Sequence, residues 1–258
     1  VFRGQRLLTL VISDVVGDPV DVIASGPTVP DPTTFAEACQ ILQQYGLWNQ
    51  LPASVRNHLE AGRRGEIPDT PKSLPPSIQC RIIGNNRLAL NGARHHAQQL
   101  GYPVLDCGAF IEGETRVVAQ VCAGLIRSIF RDGQPVTPPV CLLMGGETTV
   151  TLDATHGLGG RNQEFVLALC GYLDPQIMPY VTILSAGTDG EDGPTDAAGA
   201  VADQAVWQLA KQLDLRWQNY LQHHNSYSFW KSTGGLLITG LTGTNVMDLR
   251  VLIIRAPT

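Results

Sequence analysis

Apolar residues in this chain come in short runs, broken by glycine, proline and acidic residues, and most runs are too brief for a helix. Leu7-Leu8-Thr9-Leu10-Val11-Ile12 has the pattern of a buried strand. Thr34 with Glu37 three residues on predicts a capping box, opening a helix that runs to about Tyr45 and stops at Gly46. A second helix is expected over Ala53 to Ala61, stopping at Gly62. The segment from Glu66 to Pro76 holds Pro68, Pro71, Pro75 and Pro76; proline density of this kind prevents a helix, and the run is read as a domain boundary.

Strands and helices then alternate. Cys80 to Ile83 reads as a strand, Gly84-Asn85-Asn86 as its turn, and Arg87 to Leu100 as a helix ended by Gly101. Tyr102 to Leu105 is the next strand, and Gly113 to Arg131 a long helix with Val117, Val121, Leu125 and Ile129 as its apolar row. After a loop over Gln134 to Pro139 come the apolar run Val140 to Met144, the helix-like run Phe165 to Tyr172, and Tyr180 to Leu184. A helix over about Asp203 to Leu213 and a final strand, Leu249 to Ile254, complete the pattern. This alternation predicts an α/β fold, with a mostly parallel sheet and helices on both faces.

Composition narrows the class. The chain has 258 residues, 43% hydrophobic and 16% charged, as a globular protein should. A net charge of −5, with Arg63-Arg64 only a pair, argues against a nucleic-acid partner. Nothing resembles a membrane span or a signal peptide, so a cytoplasmic protein is expected. The six cysteines form no CxxC pair and read as small buried hydrophobes in a reducing compartment. The chain starts at Val1 without methionine and enters a strand almost at once, which suggests a piece of a longer polypeptide.

Candidate chemistry sits in three glycine-bearing turns next to apolar runs, where α/β sheets place their ligands. Gly145-Gly146-Glu147 follows Val140 to Met144. Gly157 to Glu164 opens onto a helix; backbone N–H groups at such a start form an anion site, and Arg161 could grip a phosphate or carboxylate. The alternative there is a plain glycine connection with an exposed arginine. The stretch fits neither GxGxxG nor the Walker pattern. Gly187 to Asp196 carries Asp189, Glu191, Asp192 and Asp196, carboxylates that call for a cation such as Mg²⁺ or else form an acidic surface loop. Asp14 and Asp18, past the first strand, either shape turns or serve a metal and phosphate. His223 and His224 diverge as neighbours, His95, His96 and His156 read as structural, and no GxSxG elbow is present. A phosphate cradle, carboxylates and an arginine suit phosphoryl transfer.

Ser13-Asp14-Val15-Val16-Gly17-Asp18-Pro19 with Ala24-Ser25-Gly26-Pro27-Thr28, Gly145-Gly146-Glu147-Thr148-Thr149-Val150, Gly159-Gly160-Arg161-Asn162-Gln163-Glu164, the run Gly187 to Ala200, and Thr242-Gly243-Thr244-Asn245-Val246-Met247-Asp248 together resemble the MOFRL-type glycerate 2-kinases. The resemblance spans nearly the whole chain. It implies two α/β domains, with residues 1–76 the C-terminal part of a Rossmann-like first domain and 77–258 the second. It implies transfer of a phosphoryl group from ATP to D-glycerate with Mg²⁺, giving 2-phosphoglycerate, and an active-site lysine on a longer first domain. Lys72, Lys211 and Lys231 match no such motif. Carried onto this chain, the catalytic set is Arg161, Asp14 and Asp189. The binding set is Ser25, Gly26, Asn85, Gly145, Gly146, Glu147, Gly159, Gly160, Asn162, Thr188, Thr244 and Asn245. The metal set is Asp18, Asp189 and Asp192. Alternatives are a hydroxypyruvate reductase and a non-catalytic nucleotide-binding piece; a homodimer is an open arrangement.

Overall fold

The structure is a computed structural model and describes residues 4–257. The chain forms two compact units. One comprises the chain up to Val11 together with Pro19–Ile82; the other comprises Ile12–Asp18 and everything from Ile83 onward.

In the first unit, β1 (Leu7–Ile12) pairs with β2 (Ile78–Gly84). The expected capping box starts α1 (Phe35–Gln44): Glu37 N donates to Thr34 Oγ1 at 3.2 Å, and Thr34 N donates to Glu37 Oε2 at 2.7 Å. The second helix, α2 (Ala53–Arg63), passes through the expected stop at Gly62. Gly62 is a packing residue instead: a Cβ there would lie 2.3 Å from the Phe35 ring. The proline-rich run lies within this unit. Asp31 N donates to Pro71 O at 3.0 Å, and the Lys72 ammonium donates to Thr33 O, so the run folds back onto the start of α1.

The second unit opens with α3 (Asn86–Gln99), capped by Asn85, whose side chain accepts from Leu88 N. Then follow β3 (Val104–Asp106), β4 (Ile111–Glu114), α4 (Thr115–Asp132), β5 (Val140–Thr149), α5 (Arg161–Tyr172), β6 (Val181–Gly187) and β7 (Gly199–Ala202). The chain continues through α6 (Gln204–Gln212), α7 (Trp217–Gln222), α8 (Ser226–Thr233), β8 (Leu236–Leu237) and β9 (Asp248–Ile254). The described strands form a seven-stranded sheet in the order β3-β5-β9-β6-β7-β8, with β4 also on β5.

Strands β3, β4, β5, β6 and β8 run one way, in keeping with the expected shared direction; β7 and β9 run the other. Because β9 inserts between β5 and β6, and β7 between β6 and β8, those neighbours meet through antiparallel ladders. Both faces of β5 are covered. Val140, Leu142 and Met144 join the main core with α4 and α5, while Cys141 and Leu143 pack with Leu90 and Ala97 of α3. That is why Val140 to Met144 reads as an unbroken apolar run.

Helix α4 turns a different face inward than its i, i+4 row of valines implies. Val117 and Val121 are exposed, and Thr115, Ala119, Cys122, Ile126 and Ile129 are buried. At about 100° per residue, Val117 and Ile129 lie about 120° apart around the helix, so that row cannot share one face. All six cysteines are free thiols. Among the described residues, no helix is long and apolar enough to cross a membrane.

Candidate active site

The end of β5 is shaped by close approach. A Cβ on Gly145 would sit 1.7 Å from Asn86 Oδ1. The Asn86 amide is fixed because its Nδ2 donates to Val246 O and Asp248 O, each at 2.8 Å. Gly146, at φ 124°, would place a Cβ 2.4 Å from the Ile111 carbonyl oxygen. Two glycines therefore let β5 pass Asn86 and β4 and deliver Glu147 beyond them. Gly145→Ala should lower stability by about 1–3 kcal/mol through forced backbone displacement. Urea unfolding of the second unit measures it, and a change within ±0.5 kcal/mol would contradict the close packing.

The start of α5 departs from the expected phosphate cradle. Gly160 admits Asp192 so closely that a Cβ would lie 2.3 Å from the carboxyl carbon. Asp192 Oδ1 accepts from Asn162 N at 2.9 Å and from Asn162 Nδ2 at 3.2 Å; Oδ2 accepts from Gln163 N at 2.8 Å. A carboxylate of the protein itself thus fills the anion position at the helix N-terminus. Asp192 is 3% exposed. Burial pushes its carboxyl up to about 6, against the pull of the Asn162 and Gln163 N–H groups.

With its affinity raised in the fold, the native chain holds this proton more tightly than the unfolded chain. The contribution of Asp192 to stability therefore declines as pH rises from about 4 to about 6, and is constant on either side. Melting curves of wild type and Asp192→Asn across that window test the sign. Wild type should lose ground to the variant as pH rises; a gap that stays constant with pH would refute it.

Arg161, the first residue of α5, is held by its other edge. Nε and Nη2 donate to Asp248 Oδ2 and Oδ1 at 2.8 and 3.0 Å, a bidentate pair, and Nη1 lies 3.0 Å from Glu147 Oε1. Asp248 is fully buried and also accepts from Asn162 Nδ2 at 2.9 Å and Arg250 Nη2 at 3.1 Å. Arg250, equally buried, donates to Thr148 Oγ1 at 2.8 Å and lies 5.0 Å over the Phe165 ring. Burial works against the charge on Arg161, but the hydrogen bonds and charge of Asp248, then the charge of Glu147, hold its pKa above the ordinary value. Burial pulls Arg250 below its own.

Glu147 is raised chiefly by burial. Arg161 opposes this, and the charges of Asp248, Asp14 and Asp189 add to it. Asp248, Asp14 and Asp189 thus each repel Glu147, which lies 3.0 Å from the Arg161 guanidinium. The rest of the GGRNQE motif is absorbed by scaffolding. Ser185 Oγ donates to Asn162 Oδ1 at 2.6 Å, Gln163 Nε2 donates to Thr195 Oγ1 at 3.0 Å, and Arg116 Nε donates to Glu164 Oε1 at 2.7 Å.

Several expected site residues are tied up by internal bonds. Asp18 Oδ2 accepts from Asn85 Nδ2 at 2.6 Å. Thr188 Oγ1 donates to Met247 O at 2.7 Å and accepts from Val246 N at 2.8 Å. Asn245 Oδ1 accepts from Met247 N at 2.9 Å, and Thr244 lies exposed on the same segment. Asp189 follows β6 and accepts from Glu191 N at 3.1 Å. Asp18, Asp189 and Asp192 do not gather: among the described residues, no three His, Cys, Asp or Glu side chains come together to ligate a metal. Ser25 and Gly26 belong to the first unit, both at positive φ.

A cavity of about 400 Å³ opens beside Arg161. Glu147, Gly159 and Gly160 line it, together with Thr149, Val150, Leu152, His156, Gly157, Pro194, Glu164 and His224. The pattern of apolar runs misses Asp248, Arg250, Glu164 and His224. A signal existed for each pair: a carboxylate directly before the apolar run of α5, and Asp and Arg at alternate positions of a buried strand, each demand partners. His224, at φ 48°, turns inward and places Nδ1 3.0 Å from Glu164 Oε2, while His223 bonds the Asn219 carbonyl.

Known proteins resemble this chain in sequence and fold. The MOFRL family matches residues 140–248, and the domain of unknown function DUF4147 matches residues 1–60. A glycerate 2-kinase from Pyrococcus horikoshii is 40% identical over 96% of this chain and 56% of its own length. The crystal structure of a glycerate kinase from Thermotoga maritima superposes with a TM-score of 0.86 at 36% identity, covering 96% of this chain and 57% of that one. The chain thus spans little more than half the length of these two relatives. A glycerate kinase from Macaca fascicularis is 37% identical over 97% of this chain and 72% of its own length. With the MOFRL match and 37% identity to a glycerate kinase of which it covers 72%, the chain belongs to the MOFRL-type glycerate kinase family.

Proposed function

We propose that this chain carries the phosphoryl-transfer site of a glycerate 2-kinase, which moves the terminal phosphoryl group of ATP to the 2-hydroxyl of D-glycerate and yields 2-phosphoglycerate. The posture of Arg161 carries the reading. Asp248 fixes two of its nitrogens, and the third points at a partly open carboxylate beside a cavity. Charge builds on the oxygens of the group in flight, and a cation oriented in advance stabilises it without reorganisation. Exchange of Glu147 for a phosphoryl oxygen at Nη1 is the change that binding requires.

Asp14, near Glu147, is assigned as the base that takes the 2-hydroxyl proton as the oxygen attacks phosphorus and ADP departs. Mg²⁺ bound with nucleotide phosphates needs only one or two protein carboxylates, and the repulsion that Asp14 and Asp189 each exert on Glu147 suits a cation there. Asp189 is the ligand we assign. The metal would neutralise charge on the donor's phosphates. Asp192, spent on capping α5, is left out of that role. Free thiols fit the cytoplasm.

Phosphorus NMR of ATP, D-glycerate and Mg²⁺ tests the reading, with this chain and with a chain extended to the relatives' length. A glycerate 2-phosphomonoester is expected. NADH consumption with hydroxypyruvate, without ester, would install the reductase instead. Against that alternative stands the filled N-terminus of α5, since dinucleotide folds rest the pyrophosphate on such an end.

A further inference from the structure

We infer that the cavity beside Arg161 seats the nucleoside end of the phosphoryl donor and prefers adenine to guanine; the inference rests on the kinase reading. Its size is the first argument. About 400 Å³ lies within the range of about 300–1,000 Å³ that holds a drug-sized ligand, and a three-carbon acid would leave most of it empty.

The walls are the second argument. A Cβ on Gly157, Gly159 or Gly160 would run into Asn225, Ser226 or Asp192. What these glycines turn to the cavity is therefore bare peptide backbone, a flat surface. Val150, Leu152 and Pro194 supply apolar wall. Flat and apolar surfaces suit a planar ring.

The floor is the third. Glu164 and His224 line the cavity with side chains only 3% and 6% exposed. Glu164 Oε1 accepts from Arg116 Nε and Oε2 lies 3.0 Å from His224 Nδ1, and two carboxylate oxygens carry about four lone-pair sites, which leaves lone pairs for a ligand donor. The exocyclic amine of adenine donates to such a carboxylate. Guanine places a carbonyl at the same ring position and would oppose lone pair with lone pair. A hydroxy-acid carboxylate would meet the same opposition. A base on this floor directs its phosphates to the rim, where Arg161 stands.

Isotope-edited NMR and calorimetry with adenosine, ADP, GDP and D-glycerate test the inference on the chain. Adenosine and ADP should shift Val150, Leu152 and His156, and ADP should bind at least about tenfold tighter than GDP. Leu152→Trp, at a half-exposed wall position, should weaken ADP at least about tenfold and leave D-glycerate affinity unchanged. Glu164→Gln, of the same size, should narrow the gap between ADP and GDP. Shifts from D-glycerate alone, equal ADP and GDP affinities, or an unaltered Leu152→Trp would each overturn it. Formation of 2-phosphoglycerate with an unchanged KM for ATP in Leu152→Trp would sink this subsite and spare the kinase. ADP seated here with no ester formed would do the reverse.

Discussion

Asp248→Ala should unfold the second unit at a markedly lower denaturant concentration, with a loss of about 3–5 kcal/mol. The carboxylate is fully buried, and it is the anion between Arg161 and the equally buried Arg250. Its removal strands Arg250 with no carboxylate in contact and leaves the Asn162 amide with only its longer bond to Asp192. Burial already disfavours the charge on Arg250. A loss of this size in a unit of such length corresponds to a fall in melting temperature of about 10 °C. Trp230, buried against α5 with its indole N–H on the Gln163 carbonyl, provides the fluorescence signal. Asp248→Asn keeps the volume and one acceptor and should cost less. A loss below about 1 kcal/mol for the alanine variant would mean the two guanidiniums find other compensation.

Arg161→Ala should reduce kcat by about 10²–10³, with KM changed only a few-fold, because its contact tightens as charge develops on the phosphoryl oxygens. Arg161→Lys should be nearly as impaired: an ammonium cannot form the two-point bond to Asp248 that aims the third nitrogen outward. Steady-state kinetics, read beside a melting curve of each variant, separate chemistry from folding. An unchanged kcat in a folded variant would reduce Arg161 to a structural tie.

Much of this was legible before any coordinate. Thr34 and Glu37 close their box because the interaction is local, spanning three residues. Val140 to Met144 announced a strand covered on both faces. Gly145 and Gly146 stood out as a glycine turn after an apolar run, and the motif at Gly159 singled out Arg161, which the fold sets beside Glu147 and Asp248. What escaped depends on distant partners. Asp192 meets α5 across 30 residues, and Asp248 meets Arg161 across 87. Local pattern carries no trace of which carboxylate will arrive, so the α5 start looked like a free anion site. Likewise, an apolar run such as Leu249 to Ile254 fits either strand direction, and only its insertion between β5 and β6 sets the antiparallel ladders.

The position of β9 has a consequence for biosynthesis. This strand is the seam that joins β3 and β5 to β6, β7 and β8, yet it is the last of the described strands to leave the ribosome. Until it emerges, β5 and β6 each hold a raw edge, and a nascent chain in that state is open to mispairing. Asp248, the first residue of β9, travels with it. Arg161 therefore acquires its bearing only when the seam is closed, so an incomplete polypeptide has no oriented guanidinium to offer a nucleotide.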